Sequence, residues 1–440
     1  METTPNGMSD TIREIVDSLL CSQCGTCSAV CPTRAIEMRE TPAGLLLASI
    51  NDQKCAACGT CRAVCPGAEV RLSLPDGVDP FHGCVVGAFA GHACDEEVRA
   101  KGQSGGVVSA LLLFLLESDR VDAALVTAMP SDGSLRPKPF LARTKLEILA
   151  AQGSKYCPVA ANAALSDLSA DERVAAVGVS CQIHGIHRLA QLANPLARSI
   201  QYTIGLFCNR TLLYTCIDRM AQDAGLSMGE IAGLEYRSKA RSGWPGEVCF
   251  HLDSGDERFY PPSPRIRHKD SFTPPRCRLC FDKMNICGDL SVGDPWGVSE
   301  STRGESVVIA RNDKALALLD SARHQGYVKL RQIDAELIFK GQDVERRRRD
   351  FVAFSDAWRE MKRPLPEYPG LDPRFLPPAD SATRADCARK LLLNCRVAES
   401  KTKRASLTTA RGRRRMAWAK SLAAKLFGEL KRGLRTLPHR

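Results

Sequence analysis

No apolar stretch of this chain is long enough to cross a bilayer. The longest, VVSALLLFLL at 107–116, spans ten residues, about half of what a spanning helix requires. The N-terminal METTPNGMSDTIREIVDSLL carries acidic side chains early and lacks the apolar core of a signal peptide, so export by that route is not expected. Both absences point to a cytoplasmic protein whose thiols stay reduced. The body of the chain also lacks a charge excess. Of the formal net charge of +11, residues 401–440 supply 13 Lys/Arg against one Glu, while the other 400 residues hold 48 basic and 49 acidic side chains. The pI near 8.9 therefore describes a tail. Aromatic residues are few, at 6%. No base-stacking set accompanies the basic residues, which argues against nucleic-acid recognition.

Cysteine is present in excess: 20 residues, most of them in short-spaced groups. In a reducing compartment such groups mean metal or redox chemistry rather than disulfides. Residues 21–32, CSQCGTCSAVCP, and 55–66, CAACGTCRAVCP, share the spacing C-x2-C-x2-C-x3-C-P. This internal repeat is the two-cluster bacterial ferredoxin pattern, in which three close thiolates hold one 4Fe-4S cluster and the fourth ligates the other. The spacing assigns Cys21, Cys24, Cys27 and Cys65 to one cluster. Cys55, Cys58, Cys61 and Cys31 go to the second, and Pro32 and Pro66 redirect the chain after each run. Four thiolates also suit zinc, but two zinc sites do not call for this repeat. The pattern means one-electron transfer and names no substrate.

At 440 residues the chain has room for about two or three domains. Between residues 80 and 360, strand-like runs at 121–128, 173–180, 200–207, 290–294 and 306–311 alternate with helix-like runs at 106–118 and 185–193. Such alternation predicts an α/β layered domain, with ligands beyond the carboxyl ends of its strands. Cys181 and Cys208 each follow a strand, and the helix between them makes one parallel crossover. Cys277 and Cys280 form a Cys-x-x-Cys pair ahead of the strand ending at Gly293-Asp294. Together Cys181, Cys208, Cys277 and Cys280 are candidates for a third 4Fe-4S cluster, with Cys287 as a substitute ligand. The alternative is that Cys181 and Cys208 are small buried hydrophobes. Ser104, Gly105 and Gly106 stand directly before a helix, where free N–H groups suit a phosphate; an ordinary glycine-rich cap reads the same. Lys155 in GSKYCP is a candidate for a phosphate or a flavin carbonyl, or a plain surface lysine.

In chain order, GQSGGVVSALLLFLLE (102–117), GSKYCP (153–158), VGVSCQIHGI (177–186), IGLFCNR (204–210), CRLCFDKMNICGDLSVGDPWG (277–297) and GESVVIAR (304–311) resemble the beta subunit of coenzyme F420 hydrogenase/dehydrogenase. The resemblance covers roughly residues 80–360. It implies FAD, at least one iron–sulfur cluster, and hydride exchange with a deazaflavin or another organic substrate. The family's serine-glycine-glycine matches Ser104 to Gly106. Ser180 stands where the family has a proline, and Cys208-Asn209-Arg210 keeps only the cysteine of a cysteine-histidine-glycine. Gly288-Asp289 stands for an alanine-aspartate pair.

The resulting expectation is an α/β catalytic domain (80–360) behind an N-terminal ferredoxin domain (1–75) of the bacterial two-cluster type, followed by a proline-rich strap and basic tail (361–440). ERRRRD at 345–350 reads as a solvated helix face, and 363–378 as an extended strap leaving the domain. In 416–435, Leu422, Leu426, Leu430 and Leu434 share one helical face flanked by lysines. That suits an anionic membrane surface or a partner groove, or else a mobile tail. The function expected is that of an iron–sulfur flavoprotein oxidoreductase working with a ferredoxin or another redox partner. An electron-transfer subunit without its own substrate and an iron–sulfur sensor are the rivals. No acid or base declares itself, and His184, His187 and Lys155 are the candidates for moving a proton.

Overall fold

A computed structural model describes residues 11–169, 171–260 and 268–400. The basic helix expected at 416–435 lies outside the described residues. The architecture is mixed α/β. An antiparallel hairpin, β1 (Ile36–Glu40) and β2 (Leu46–Ile50), belongs to the N-terminal module. The body is built on β3 (Gly87–Ala93), β4 (Ala123–Ala128), β5 (Lys138–Ala142), β6 (Val174–Val179), β7 (Ile200–Leu206), β11 (Leu290–Gly293), β12 (Ser306–Ala310) and β13 (Val328–Gln332). These form one sheet in the order β13-β3-β12-β11-β7-β6-β4-β5. A smaller antiparallel sheet holds β8 (Ile231–Ser238), β9 (Glu247–Leu252) and β10 (Glu257–Tyr260), in the order β10-β9-β8.

The central strands β4, β6, β7 and β11 run parallel. β4 and β6, AALVTA and VAAVGV, are almost wholly apolar and rich in small and β-branched residues on both faces, which is the pattern of strands covered on both sides. The helix Val107–Glu117 covers one face. Val107, Ala110 and Leu111 through Leu115 in it are all buried, so it is apolar all round, as an internal helix must be. Full burial of each of its large side chains contributes roughly 1.5–3 kcal/mol. Gly106 begins it at φ 76°. A Cβ on Gly105 would lie 2.6 Å from the Gly91 carbonyl oxygen and 2.7 Å from the Ser306 nitrogen. The glycine pair is thus required by close packing of the chain itself.

Three expectations need correction. The helix expected at 185–193 begins at Ser180, with no loop after β6; the Gln182 side chain accepts a hydrogen bond from the Val179 N–H and caps it directly. The ERRRRD run is not a uniformly solvated face. In the helix Val344–Glu360, Arg348 is buried, donates to Asp79 and lies over the Phe81 ring, and Arg347 donates to the Cys280 carbonyl. The proline-rich strap does not leave the domain. The Val70 and Leu72 N–H groups donate to the Glu367 and Pro369 carbonyls, each at 2.8 Å, and Tyr368 Oη donates to the Leu279 carbonyl. A helix, Ser381–Ala398, follows it. Its four-residue spacing of Cys387, Leu391 and Cys395 packs into a core with Ile12, Leu20, Leu279, Phe354 and Trp358. That core joins the N-terminal module to the end of the body. No helix among the described residues is long and apolar enough to cross a membrane.

Candidate iron–sulfur and cofactor site

The two halves of the N-terminal repeat fold alike. Gly25 and Gly59, both at positive φ, begin the one-turn helices Thr26–Ala29 and Thr60–Ala63. The Cys24 sulfur lies 3.2 Å from Thr26 Oγ1 and the Cys58 sulfur 3.4 Å from Thr60 Oγ1. Burial pushes the Cys27 thiol up, and the nearby Cys24, Cys65 and Cys21 add to it. Burial likewise pushes Cys65 up to about 12, with Cys24 and Cys21 next. Cys61 is raised by burial and feels Cys58 and Cys31. The members of each crosswise set are thus near one another, and Cys61 of the second set also acts on Cys27. The two sets differ in exposure: Cys24, Cys27 and Cys65 are buried, whereas Cys58 is open to solvent.

The parallel strands bring the scattered cysteines to one edge. Cys181 sits in the first turn of its helix, Cys208 two residues past β7, and Cys277 and Cys280 on and after the turn Pro275–Arg278. Burial raises the Cys181 thiol, and Cys24, Cys208, Cys277 and Cys280 then act on it in turn. Cys208 is pushed up to about 12 by burial and by Cys277 and Cys280. Cys287 stays apart, packed among apolar residues with Asp282 and Arg311 as its charged neighbours. The Cys24 neighbour of Cys181 comes from the N-terminal module, and the Cys181 sulfur lies 3.6 Å from the Ser22 carbonyl oxygen. Buried Arg276 sits between the two groups. It donates to the Pro66 and Leu279 carbonyls, each at 3.0 Å, and its charge favours the thiolates of Cys21 and Cys280.

The interface is clasped by Asn162, which has no solvent exposure. Its Nδ2 donates to Thr26 Oγ1 and to the Gln182 carbonyl, both at 2.8 Å. Arg276 and Asn162 carried no signal in the sequence, since each acts only through partners distant along the chain.

A cavity of about 470 Å³ opens at the same strand ends, within the range typical of cofactor pockets. Cys181 and Cys208 form part of its wall, and Ser104, Gly106 and Lys155 another part. Gly105 is not in the lining. Lys155 Nζ donates to the Ala151 and Gln152 carbonyls at 2.6 and 2.9 Å, and burial lowers its pKa to about 7. Arg237 also lines the cavity. It is held by Asp294 at 2.6 Å, Tyr156 Oη at 3.1 Å and the Pro245 carbonyl at 2.7 Å, and Trp244 Nε1 donates to the same Asp294. Arg210 and Lys269 complete a lining in which Asp294 is the one acid. This balance suits an anionic ligand. The other proton-transfer candidates lie elsewhere. His184 pairs with Asp282 at 2.8 Å, both buried, and the ring of His187 meets Gln191.

Thiolates suit iron–sulfur clusters and zinc alike, so spacing decides. Among the described residues, the one trio of thiol, imidazole and carboxylate ligand atoms lying within 4.8 Å of one another is in the small sheet. For the N-terminal sets, the doubled C-x2-C-x2-C-x3-C-P spacing is the feature that fits two 4Fe-4S clusters rather than zinc.

Two models of the coenzyme F420 hydrogenase/dehydrogenase beta subunit match the chain, the N-terminal one at residues 88–166 and the C-terminal one at 171–336. The chain belongs to that family. A 4Fe-4S dicluster domain matches residues 20–68 ahead of it. Among curated relatives, coenzyme F420 hydrogenase subunit beta of Methanosarcina barkeri is 28% identical over half of this chain and 75% of its own length. Coenzyme F420-dependent sulfite reductase of Methanocaldococcus jannaschii is 26% identical over 78% of this chain, which spans 53% of that protein. A chain in a xenon-derivatised structure of the F420-reducing NiFe hydrogenase complex from Methanosarcina barkeri superposes with a TM-score of 0.53 at 22% identity. The match covers 65% of this chain and 97% of that one, which shows the shared fold. As a member of the beta-subunit family with a dicluster domain, the protein is an iron–sulfur oxidoreductase.

Proposed function

We propose that this protein carries electrons between three 4Fe-4S clusters and an FAD bound in the strand-end cavity, and that the cavity exchanges a hydride with a deazaflavin or another organic substrate. The observation that carries this reading is that Cys181 and Cys208 line the same cavity as Lys155 and Arg237. The names of the relatives support a deazaflavin. When bound, FAD supplies two-electron hydride chemistry and the clusters supply one-electron steps.

The chain's own residues set up the path. Cys24, a ligand of the first N-terminal set, lies near Cys181, so clusters held by these two sets would be neighbours. Arg276 holds a fixed positive charge between them, which favours added electrons on both sides. Arg237, locked by Asp294, and Lys155 offer cationic contacts for a pyrophosphate or another anion. Burial lowers the Lys155 pKa to about 7, so its Nζ is a cavity group able to hold or release a proton. The apolar walls from Val126, Val177, Leu206 and Val292 exclude water from the reacting face.

Anaerobic purification followed by iron, sulfide and flavin analysis tests the reading. The expected result is one flavin and about twelve irons, four for each ligand set. Reconstituted protein with its full iron and no flavin affinity would overturn the flavin assignment. The relative from Methanosarcina barkeri is a subunit by name, and this favours one alternative, an electron-transfer subunit serving a separate catalytic partner. Turnover of the isolated chain with a deazaflavin would exclude it.

A further inference from the structure

The small sheet β8–β9–β10 carries a group of ligand atoms that the redox reading does not use. Along β9, Val248 and Phe250 face the core with no solvent exposure, so the alternation of a strand turns Cys249 and His251 to the other face. Register sets their neighbours. Cys249 lies opposite Glu235 on β8 and Phe259 on β10, and His251 lies opposite Gly233 and Glu257. The ligand atoms of Cys249, His251 and Glu257 all fall within 4.8 Å of one another. His251 Nδ1 is 3.3 Å from Glu257 Oε1, which matches the edge of about 3.4 Å spanned by two ligands bound tetrahedrally at about 2.0–2.1 Å.

A second arrangement points the same way. The other ring nitrogen, Nε2, lies 3.2 Å from Glu235 Oε1. A metal-ligating histidine characteristically donates its second N–H to a carboxylate, which fixes ring orientation and tautomer. Gly233 leaves room for this, since a Cβ there would come within 3.3 Å of His251 Cδ2. Cys249 is fully buried, whereas His251 and Glu257 are 36% and 49% exposed at the side chain. An ion would reach the site from solvent and keep an open fourth position. The alternative is an exposed histidine between two glutamates over a small buried residue. It leaves Glu235 and Glu257 with His251 as their ion-pair partner among the described residues, and Glu247 adds a further negative charge near Cys249.

We infer that Cys249, His251 and Glu257 bind one zinc(II)-class cation, with Glu235 orienting the imidazole. Thiolate, imidazole and carboxylate together, in a tetrahedral set with one open position, suit zinc better than calcium or magnesium. Binding releases the Cys249 proton to solvent. The site ties β9 to β10 and, through Glu235, to β8, the strand that presents Arg237 to the cavity. It therefore stiffens one wall of that cavity, and it stands whether or not the cavity holds flavin.

The test uses the full chain, purified anaerobically with its clusters and dialysed against zinc(II) alone, with zinc and iron both counted. The expected result is about one bound zinc at unchanged iron content, and loss of that zinc in Cys249→Ser, His251→Ala and Glu257→Gln with iron still unchanged. Unchanged iron also reports that each variant has folded. Glu257→Gln, on an exposed residue, keeps the test decisive if the buried Cys249 variant does not fold. Glu235→Gln should weaken zinc about tenfold or more without abolishing it. Zinc uptake no greater than that of His251→Ala, or uptake only at the expense of iron, overturns the inference.

Discussion

The N-terminal module and the strand-end group solve one problem, gathering four thiolates, in opposite ways. In the module three ligands of each set lie within seven residues, so a local turn around Gly25 or Gly59 preforms most of the site. At the strand ends the four cysteines span 100 positions, from 181 to 280, and nothing local joins them except Cys277 and Cys280. There the parallel strands bring Cys181 and Cys208 to one edge, and the segment carrying Cys277 and Cys280 is tied to them through the Cys208 N–H, which donates to the Lys283 carbonyl. Spacing is a readable signal only when the chain between ligands is too short to go elsewhere. Exposure differs too. Cys58 meets solvent, whereas Cys181 and Cys208 line the cavity at the strand ends.

The largest expected effect breaks one set and spares the others. Cys181→Ser or Cys277→Ser should remove about four irons and stop electron flow to the cavity, while the N-terminal module keeps its cluster signals by electron paramagnetic resonance. Loss of all clusters together in either variant would mean that the two regions are one folding unit rather than separate sites. Next comes the clasp. Asn162→Ala deprives Thr26 Oγ1 and the Gln182 carbonyl of a buried donor, at a cost of about 1–3 kcal/mol. A lowered thermal midpoint with iron content unchanged is expected, and an unchanged midpoint would remove Asn162 from the interface account.

A smaller effect sharpens the electrostatic side of the comparison. Arg276→Met removes the charge between the Cys21 and Cys277 groups and should make both of their potentials more negative, on the order of tens of millivolts. The Cys58 group, farther from that charge, serves as the internal reference. A shift of equal size at all three sets would point to general disturbance instead. The smallest effect is a pH dependence. Lys155 has its pKa lowered by burial to about 7, against about 10.4 for the free side chain. Between these values the unfolded chain holds a proton that the fold has released, so this group favours folding progressively more as pH rises across that window. An anionic ligand prefers the protonated form. If the cavity holds the flavin proposed above, its binding should weaken as pH rises through about 7, and Lys155→Met should flatten that dependence in a fluorescence titration.

Much of the fold was legible because its strands are short apolar runs between turn residues, and the alternation around Cys181 and Cys208 has the parallel crossover it implied. The errors share a cause. The 363–378 segment reads as a departing strap because prolines carry no hydrogen-bonding pattern, yet its Glu367 and Pro369 carbonyls have partners at Val70 and Leu72. ERRRRD reads as solvated because charge implies water, yet Arg348 finds Asp79 at 269 positions' separation. Of the cavity lining, Ser104, Gly106 and Lys155 carry helix-start and lysine signals in the sequence, and Arg237 carries none, because its alignment depends on Asp294 and Pro245.

Legible in the sequence are the doubled ligand spacing of the N-terminal module, the Cys277–Cys280 pair and the single parallel crossover between β6 and β7 in the α/β body. Each of these is encoded by neighbours in the chain, where turn geometry and hydrophobic period act directly. Only the tertiary structure decided that Cys24 lies against Cys181, that Cys287 stands apart, that Arg276 sits between two thiol groups, and that Arg237 faces a shared cavity. Those relations come from packing one layer on another, and the distance between two side chains across layers is fixed by sheet order and burial, which no stretch of chain between them records.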